Sequence, residues 1–318
     1  MFIATKYMSE TPPKISIVIP VFNAQLTIAK LVNQLISEIS TRYDLEIVLV
    51  NDYSADNSHA ECLKLFQEHK SIVKYIALAK NFGEHNAVMA GLNKVTGDFS
   101  IIMDDDFQNP VEEVMKLIAF SVDNDFDVVY TYYDKKKHKL WRNFGSSLNN
   151  YMATILLKKP KGLYLSSFKC LNRFLVDEII KYDLPYPYID GLILRSTSSI
   201  GTVQVVHDSR HEGKSGYTVV KLIKLWSNMF TSFSVIPLRI SIFIGIFFAV
   251  TGFLFGIYSI IEHFIVPGLP PGFSLTITAI FVFAGIQLIS LGMIGEYIGR
   301  IFISQNKQPQ YTIKKEYL

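Results

Sequence analysis

The sequence predicts an α/β fold with a mainly parallel sheet, followed by interfacial helices and a two-helix membrane hairpin. Three observations lead to this prediction. Short apolar, β-branched runs alternate with segments of helical spacing over residues 15–131. Polar residues directly follow several of these runs. Two stretches near the C-terminus, 240–261 and 273–294, contain no charged residue.

The alternation in the first half indicates buried strands separated by helices. The apolar runs lie at 15–21, 45–50, 72–78, 99–103 and 126–131. The helical segments lie at 24–39, 54–69, 85–95 and 111–121. Continuous apolar strands of this kind are typical of a parallel sheet that helices cover on both faces. Because ligands bind at the carboxyl ends of strands in such sheets, the residues just past each run are candidate site residues.

The second half predicts contact with a membrane. Apolar stripes at helical spacing occur at about 140–157 and 218–236, and each fits either an interfacial helix or a helix packed on the core. The segments at about 240–261 and 273–295 each have the ~20 apolar residues needed to cross a bilayer. Lys and Arg flank this pair and are absent from the connector at 262–272. This distribution predicts that both termini and the catalytic domain are cytoplasmic.

These patterns divide the chain into a cytoplasmic domain at 1–236, a two-helix membrane hairpin at 237–298 and a cytoplasmic tail at 299–318. Hydrophobic residues make up 49% of the chain, which agrees with membrane segments. The net charge of +3 is too small to indicate a nucleic-acid partner. Small residues in the hairpin allow close helix packing and therefore self-association as a homo-oligomer: Gly245, Gly252, Gly256 and Gly285.

The sharpest chemical signal is an acidic segment directly after the fourth predicted strand. Asp104 and Asp106 are one residue apart and can present oxygens to one divalent cation, and Gln108 can add a neutral oxygen. Mg²⁺ or Mn²⁺ binds a few protein oxygens and completes its shell with substrate phosphates. A departing nucleotide diphosphate needs such a cation because negative charge accumulates on it. A solvated turn is the alternative interpretation of an isolated Asp-x-Asp.

Residues at the ends of the first three strands predict a nucleotide crevice. A carboxylate at Asp52 can accept an N–H from a nucleobase, and the region of Phe22 can pack on the base or ribose. Asp52 and Asp56 also fit helix caps. With the acidic segment included, the predicted nucleotide-binding residues are Pro20, Phe22, Asn23, Asp52, Asn81, Asp104 and Asp105.

Two further segments suit a phosphate group. Arg142 and Ser146 are four residues apart on a predicted helix and so share one face. A guanidinium and a hydroxyl on one face can bind phosphate oxygens. The glycine-containing loop at 210–217 contains Arg210 and Ser215, which can also bind a phosphate. Each segment alone also fits an ordinary surface site.

Together these motifs resemble those of the family 2 glycosyltransferases, in the branch that makes polyisoprenyl-phosphate sugars. The matching motifs stand at 19–24, 51–56, 104–110, 142–146, 210–217 and 295–300. The last, Gly-Glu-Tyr-Ile-Gly-Arg, follows the second predicted span. In this it resembles bacterial undecaprenyl-phosphate aminoarabinose and glucosyl transferases more than dolichol-phosphate mannose synthase, which has no matching hairpin.

The resemblance implies a GT-A fold and an inverting transfer from a nucleotide-sugar, with a UDP-sugar favoured, to a polyisoprenyl phosphate such as undecaprenyl phosphate. It places the enzyme in the inner membrane. It implies that Asp104, Asp106 and Gln108 hold Mg²⁺ or Mn²⁺. The implied acceptor-phosphate residues are Arg142, Ser146, Arg210 and Ser215, and the implied catalytic residues are Asp104, Asp106, Arg142 and Arg210.

Several positions depart from the family pattern. Ala24, Asn51 and Tyr53 stand where the family usually has Glu, Asp and Gly, and Lys169 stands where Arg is common. The nucleophile is a phosphate monoester with a second pKa near ~6, so it is largely anionic at neutral pH. For this reason no general base is assigned.

Other classes of function make different demands on the sequence. A processive polysaccharide synthase requires a Gln-x-x-Arg-Trp motif, which is absent, and two spans are too few for its channel. A non-catalytic membrane scaffold that binds nucleotide would tolerate the loss of Asp104 or Asp106, and both are present. None of these motifs identifies the sugar that is transferred.

Overall fold

The computed structural model describes residues 12–133, 159–160, 162–206, 236–265, 273–306 and 308–318. The chain divides into two compact units. One is formed by Met1–Gly216 together with Gln308–Leu318, and the other by Tyr217–Lys307. The first unit contains a sheet and six helices among its described residues, and the second contains two long helices.

In its described residues, the first unit is built on one eight-stranded sheet. Its strands are β1 (Lys14–Val21), β2 (Asp44–Asn51), β3 (Val73–Leu78), β4 (Phe99–Ile102), β5 (Val128–Tyr132), β6 (Lys169–Asn172), β7 (Ile200–Gln204) and β8 (Ile313–Tyr317). Their order is β7-β5-β6-β4-β1-β2-β3-β8. Only β6 and β8 run antiparallel to their neighbours. The predicted α/β fold with a mainly parallel sheet is confirmed.

Helices connect the strands of this sheet. They are α1 (Ile28–Ile39), α2 (Ser58–Glu68), α3 (Glu84–Leu92), α4 (Val111–Asp123), α5 (Arg173–Ile179) and α6 (Ile189–Ser196). The helix predicted at 24–39 begins one turn later, at Ile28. The reason is that the backbone N–H of Ala24 donates to Ser58 Oγ at 2.8 Å, which holds the start of this segment in a separate turn.

Both faces of the central strands are buried, as a parallel sheet requires. Ile15, Ile17 and Ile19 of β1 are fully buried in the apolar cluster that includes residues of α1 and α4. Val18 points to the opposite face and meets α3. A Cβ at Gly91 of α3 would clash with the Val18 side chain, so glycine at this position lets the helix approach the sheet closely.

The C-terminal segment forms the last strand of the sheet. The sequence predicted a tail at 299–318, but β8 pairs antiparallel with β3. The Tyr317 ring stacks on Tyr75 with centroids 5.7 Å apart and also packs on Phe66 at 5.5 Å. Lys94 Nζ lies 2.8 Å from a Glu316 carboxylate oxygen. These contacts attach the end of the chain to the sheet edge.

The second unit contains α7 (Ile236–Ile265) and α8 (Phe273–Gln305). The two helices pack against each other, and the rings of Phe248 and Phe283 meet edge to face with centroids 6.4 Å apart. The side chains of several residues in both helices lie outside the described set. Among the described residues, no helix meets the combined requirement of length and apolar character for a membrane span.

A buried carboxylate fixes the amino ends of β1, β2 and β3. Glu46 is 4% exposed and lies 2.7 Å from Lys74 Nζ. It also accepts from Ser16 Oγ at 2.6 Å and from the backbone N–H of Thr96 at 2.8 Å. Burial alone would raise the pKa of Glu46, but these bonds outweigh it and hold the pKa below its ordinary value.

Replacing Tyr317 by alanine should lower the stability of the chain. The substitution removes the ring packing on Tyr75 and Phe66, a loss of about 2 kcal/mol. The midpoint of thermal unfolding of the full chain in detergent should therefore fall by roughly 4–8 °C. Tyr317→Phe keeps the ring and serves as the control. Equal midpoints for the alanine variant and the wild type would show that β8 does not support the sheet.

Glu46→Gln should destabilise the chain in a pH-dependent way. Because the folded-state pKa is lowered, the stabilisation by the carboxylate is complete above the ordinary value of 4.5 and is lost as pH falls through the lower folded value. The variant should lose about 3 kcal/mol at pH 7, since Lys74 loses its charged partner and keeps only the bond to the Lys94 carbonyl. Thermal unfolding at pH 7 and at pH 3 should show the difference between the two proteins shrinking at acid pH. A constant difference would contradict the assignment.

Candidate active site

Strained backbone is concentrated at the carboxyl ends of three adjacent strands. β4, β1 and β2 lie side by side, and each is followed by a turn with a non-glycine residue at positive φ. These residues are Asn23 at 56°, Tyr53 at 58° and Phe107 at 59°. Elsewhere in the described ranges, only Tyr186 shares this conformation. It costs on the order of 1–3 kcal/mol and persists where the surroundings impose it, often at functional sites.

Reciprocal hydrogen bonds join the turns after β1 and β2. The backbone N–H of Asn23 donates to Ser54 Oγ at 3.0 Å, and Asn23 Oδ1 accepts from the N–H of Ala55 at 2.9 Å. The N–H of Asp52 donates to the carbonyl of Val21 at 3.0 Å. The predicted nucleotide residue Asn23 therefore holds the two turns together, and Phe22 beside it is 51% exposed.

The carboxylate of Asp52 faces the protein backbone. It is 3% exposed and accepts the N–H groups of Phe82 at 2.7 Å and Gly83 at 2.8 Å, one on each oxygen. Burial raises the pKa of Asp52 above its ordinary value, although the two backbone bonds oppose this. Asp52 thus fixes the turn after β3, where Asn81 lies. Its contact with a nucleobase stays a prediction.

Asn51 connects this crevice to the buried side of β3. Its amide Nδ2 donates to Tyr75 Oη at 3.2 Å, and its Oδ1 accepts from the N–H of Ser54 at 2.9 Å. Tyr75 Oη also lies 2.5 Å from His59 Nδ1. The amide of Asn51 therefore supports the turn that carries Tyr53 and links it to the Tyr75 hydroxyl.

The three consecutive aspartates after β4 point to three different partners. Asp104 Oδ2 accepts from Ser167 Oγ at 2.8 Å. Asp105 Oδ2 accepts from the N–H of Phe22 at 3.0 Å, which ties the acidic turn to the turn after β1. Asp106 Oδ1 accepts from the N–H of Gln108 at 3.2 Å within its own turn. The middle carboxylate is thus the one that contacts the turn after β1.

This carboxylate cluster fits a divalent cation. Burial raises the pKa of Asp105 to about 7, and the charges of Asp104 and Asp106 add to the effect. A cation beside Asp104 and Asp106 would relieve this repulsion, and carboxylate and amide oxygens are the ligands that Mg²⁺ and Mn²⁺ prefer. Within the described ranges, no three His, Cys, Asp or Glu side chains form a metal-binding group. Mg²⁺ commonly binds one or two carboxylates and completes its shell with substrate phosphates and water.

A buried ionic cluster beside the acidic turn was not predicted from the sequence. Lys169, opposite Ile102 in the sheet, forms an ion pair with Asp190 in the first turn of α6. Tyr130 Oη donates to the same Asp190 oxygen at 2.8 Å. Lys169 and Asp190 are 3% and 8% exposed. The only sequence signal was that Lys169 stands where Arg is common, and no signal distinguished Asp190.

His85 at the start of α3 lies near this cluster. Burial lowers the pKa of His85 to about 4, and the charge of Asp190 only partly opposes this. The imidazole is therefore neutral near pH 7. Its ring meets the Tyr188 ring edge on, with centroids 5.2 Å apart.

The predicted acceptor residues cannot be placed in this geometry. Arg142, Ser146, Arg210 and Ser215 lie outside the described residues. Of the other predicted site residues, Pro20, Phe22, Asn23, Asp52 and Asp104–Asp106 converge on one edge of the sheet. Asn81 and Gln108 belong to the turns that adjoin it.

The Lys169–Asp190 pair should behave as a coupled unit. Lys169→Met and Asp190→Asn each leave one buried charge without its partner, at a cost of about 3–5 kcal/mol. The double variant removes both charges and should be more stable than either single variant. Thermal unfolding of the four proteins in detergent tests this, with expected decreases of roughly 10 °C for the single variants. Additive losses in the double variant would show that the two charges are not coupled.

Comparison with known proteins identifies the family of the chain. Residues 16–180 match the model of glycosyl transferase family 2, and residues 236–301 match that of the GtrB C-terminal hairpin. The undecaprenyl-phosphate 4-deoxy-4-formamido-L-arabinose transferase of Proteus mirabilis is 32% identical over 95% of this chain and 93% of its own length. The protein of the same name from Yersinia enterocolitica is 32% identical over 96% of this chain and 94% of its own length.

A solved structure shares the fold. The crystal structure of glucosyl-3-phosphoglycerate synthase from Mycobacterium tuberculosis in complex with uridine diphosphate matches with a TM-score of 0.51. It is 15% identical and covers 68% of this chain and 79% of its own. This likeness concerns the fold alone and agrees with a GT-A-like α/β domain. Residues 16–180 match the family model, and the relatives align over nearly their whole length. The chain therefore belongs to glycosyl transferase family 2 and is a glycosyltransferase with a hairpin of the GtrB type.

Proposed function

We propose that this glycosyltransferase moves a sugar from a nucleotide-sugar, with a UDP-sugar favoured, to undecaprenyl phosphate. The observation that carries the proposal is the acidic turn after β4. Asp105 ties this turn to the turn after β1, which supports a site where Asp104 and Asp106 adjoin the residues proposed to bind the nucleotide. The relatives named undecaprenyl-phosphate transferases align over nearly their whole length, which supports the same acceptor for this chain.

On the donor side, Asp104, Asp106 and Gln108 would hold Mg²⁺ or Mn²⁺. When bound, the cation stabilises the charge that accumulates on the departing diphosphate. Ser167 holds the Asp104 carboxylate in place, and the bond from Gln108 fixes Asp106. Phe22, Asn23 and Asp52 belong to turns that are hydrogen-bonded in advance, so they orient the nucleotide without rearrangement.

On the acceptor side, the lipid phosphate attacks the anomeric carbon with inversion. Because the phosphate monoester is already largely anionic, no side chain needs to remove a proton. Arg142 and Arg210, with Ser146 and Ser215, would bind the phosphate and direct one of its oxygens at the sugar.

The second unit supports an attachment to the membrane. Phe243, Phe253 and Leu288 of the two long helices are 70%, 69% and 69% exposed. Apolar side chains exposed to this extent along both helices are typical of a surface that contacts lipid or another protein. Together with the uncharged segments at 240–261 and 273–294, they support a hairpin in the inner membrane. By the distribution of Lys and Arg around these segments, both termini and the catalytic unit would then be cytoplasmic.

A transfer assay with the full chain in detergent tests the proposal. Undecaprenyl phosphate, Mn²⁺ or Mg²⁺ and a panel of UDP- and GDP-sugars are supplied, and both released nucleotide diphosphate and glycolipid are measured. We expect metal-dependent glycolipid from one donor. Asp106→Ala should reduce the rate by about 100-fold or more, since it removes a group that stabilises the leaving charge.

Two comparisons make the assay specific. Asp123→Ala removes an exposed acid at the end of α4 and should leave the rate unchanged. Arg142→Ala should reduce glycolipid formation without weakening the binding of the nucleotide. Diphosphate release without glycolipid would contradict the assigned acceptor, and the absence of turnover with every donor would contradict the proposed reaction.

A further inference from the structure

Tyr53 combines two properties that packing does not explain. It has a φ of 58°, a conformation that side chains with a Cβ disfavour, and it is 56% exposed. The aromatic ring is therefore not held in a core that could offset the strain. Glycine is usual at the matching family position and would adopt this conformation without strain. A strained and exposed aromatic residue beside a ligand crevice suggests that the ring itself has a role.

The position of Tyr53 is fixed by the pairing of β1 with β2. The last paired residues of these strands are Val21 and Asn51. Asn23 and Tyr53 each lie two residues beyond the end of their strand. Both have positive φ. The bond from the N–H of Ser54 to Asn51 and the bonds between Asn23, Ser54 and Ala55 hold both turns in this shape. The backbone therefore presents Tyr53 at a fixed place on the crevice.

A second exposed ring stands on the neighbouring turn. Phe22 is 51% exposed, and among the described residues neither its ring nor that of Tyr53 packs on another aromatic ring. Neighbouring strands are ~4.8 Å apart, so side chains on their adjoining turns can contact one small flat ligand together. Nucleobases bind to such rings through their π faces.

We propose that Tyr53 is a nucleobase-stacking residue, which together with Phe22 forms an aromatic site for the base of the nucleoside diphosphate. This inference rests on the proposed function, because it assumes that the crevice binds a nucleotide-sugar donor. It adds to that function a residue that the family pattern does not contain. The backbone strain at position 53 is then retained because the ring contributes to binding.

Calorimetric titration of the full chain in detergent with UDP and with GDP, in the presence of Mn²⁺, tests this inference. For the nucleotide that binds more tightly, Tyr53→Gly should weaken binding about 10-fold, which corresponds to ~1.4 kcal/mol. Tyr53→Phe keeps the ring and should bind like the wild type. Because glycine removes the backbone strain, the thermal unfolding midpoint of Tyr53→Gly should be equal to or higher than that of the wild type.

Tyr186→Gly is the matched control. Tyr186 also has a positive φ, 65°, and is 45% exposed, but it lies between α5 and α6. Its replacement should leave nucleotide affinity unchanged. Unaltered affinity in Tyr53→Gly, or a loss of affinity matched by a fall in stability, would overturn the inference while the proposed function stands. A wild-type chain that binds neither nucleotide would overturn both.

Discussion

The in-register parallel pairing of β1 with β2 is the constraint on which the rest of the site depends. The two strands pair over eight residues, from Lys14 with Asp44 to Val21 with Asn51, and so they end at the same level. Glu46 fixes the amino ends of the strands, and hydrogen bonds between Asn23, Ser54 and Ala55 fix the carboxyl ends. A shift of one residue would turn every side chain of a strand to the other face. The crevice is therefore a direct result of strand register.

In the acidic turn, the fold holds three carboxylates that repel one another. Asp104, Asp105 and Asp106 are adjacent in the chain, and each carboxylate is held by a different element: the segment before β6, the turn after β1, and its own turn. The left-handed conformation of Phe107 closes this turn. Each carboxylate therefore has its own anchor, and Asp105 connects the acidic turn to the turn after β1.

Much of this arrangement follows from local sequence signals. The runs that became β1–β5 are continuous and apolar because both faces of each strand are buried, and each is followed by polar residues that mark its end. By contrast, β6 and β8 owe their places to partners far away in the chain, since β6 inserts antiparallel between β4 and β5 and β8 pairs with β3. The sequence around Ile313 is rich in charge and short, so it has the pattern of a tail.

The candidate site also combines features that local sequence signals predict with features that depend on distant parts of the chain. The positions of the acidic segment and of the residues after β1 and β2 could be predicted, because the distance from a strand end is a local property of the sequence. The roles of their side chains could not, because Asp52 and Asp105 bind backbone groups that only the folded turns bring near. The Lys169–Asp190 pair was missed for a related reason: each residue alone is an ordinary polar residue, and only the fold places the two together in a buried environment.

The position of β8 after the two long helices in the sequence has a consequence for biosynthesis. During translation, β3 is made early, and its outer edge has no strand beside it until residues 313–317 leave the ribosome. For most of synthesis the sheet is therefore incomplete, with unpaired N–H and C=O groups along β3 that could pair with another chain. Completion of the catalytic sheet has to wait for the two long helices to be made first.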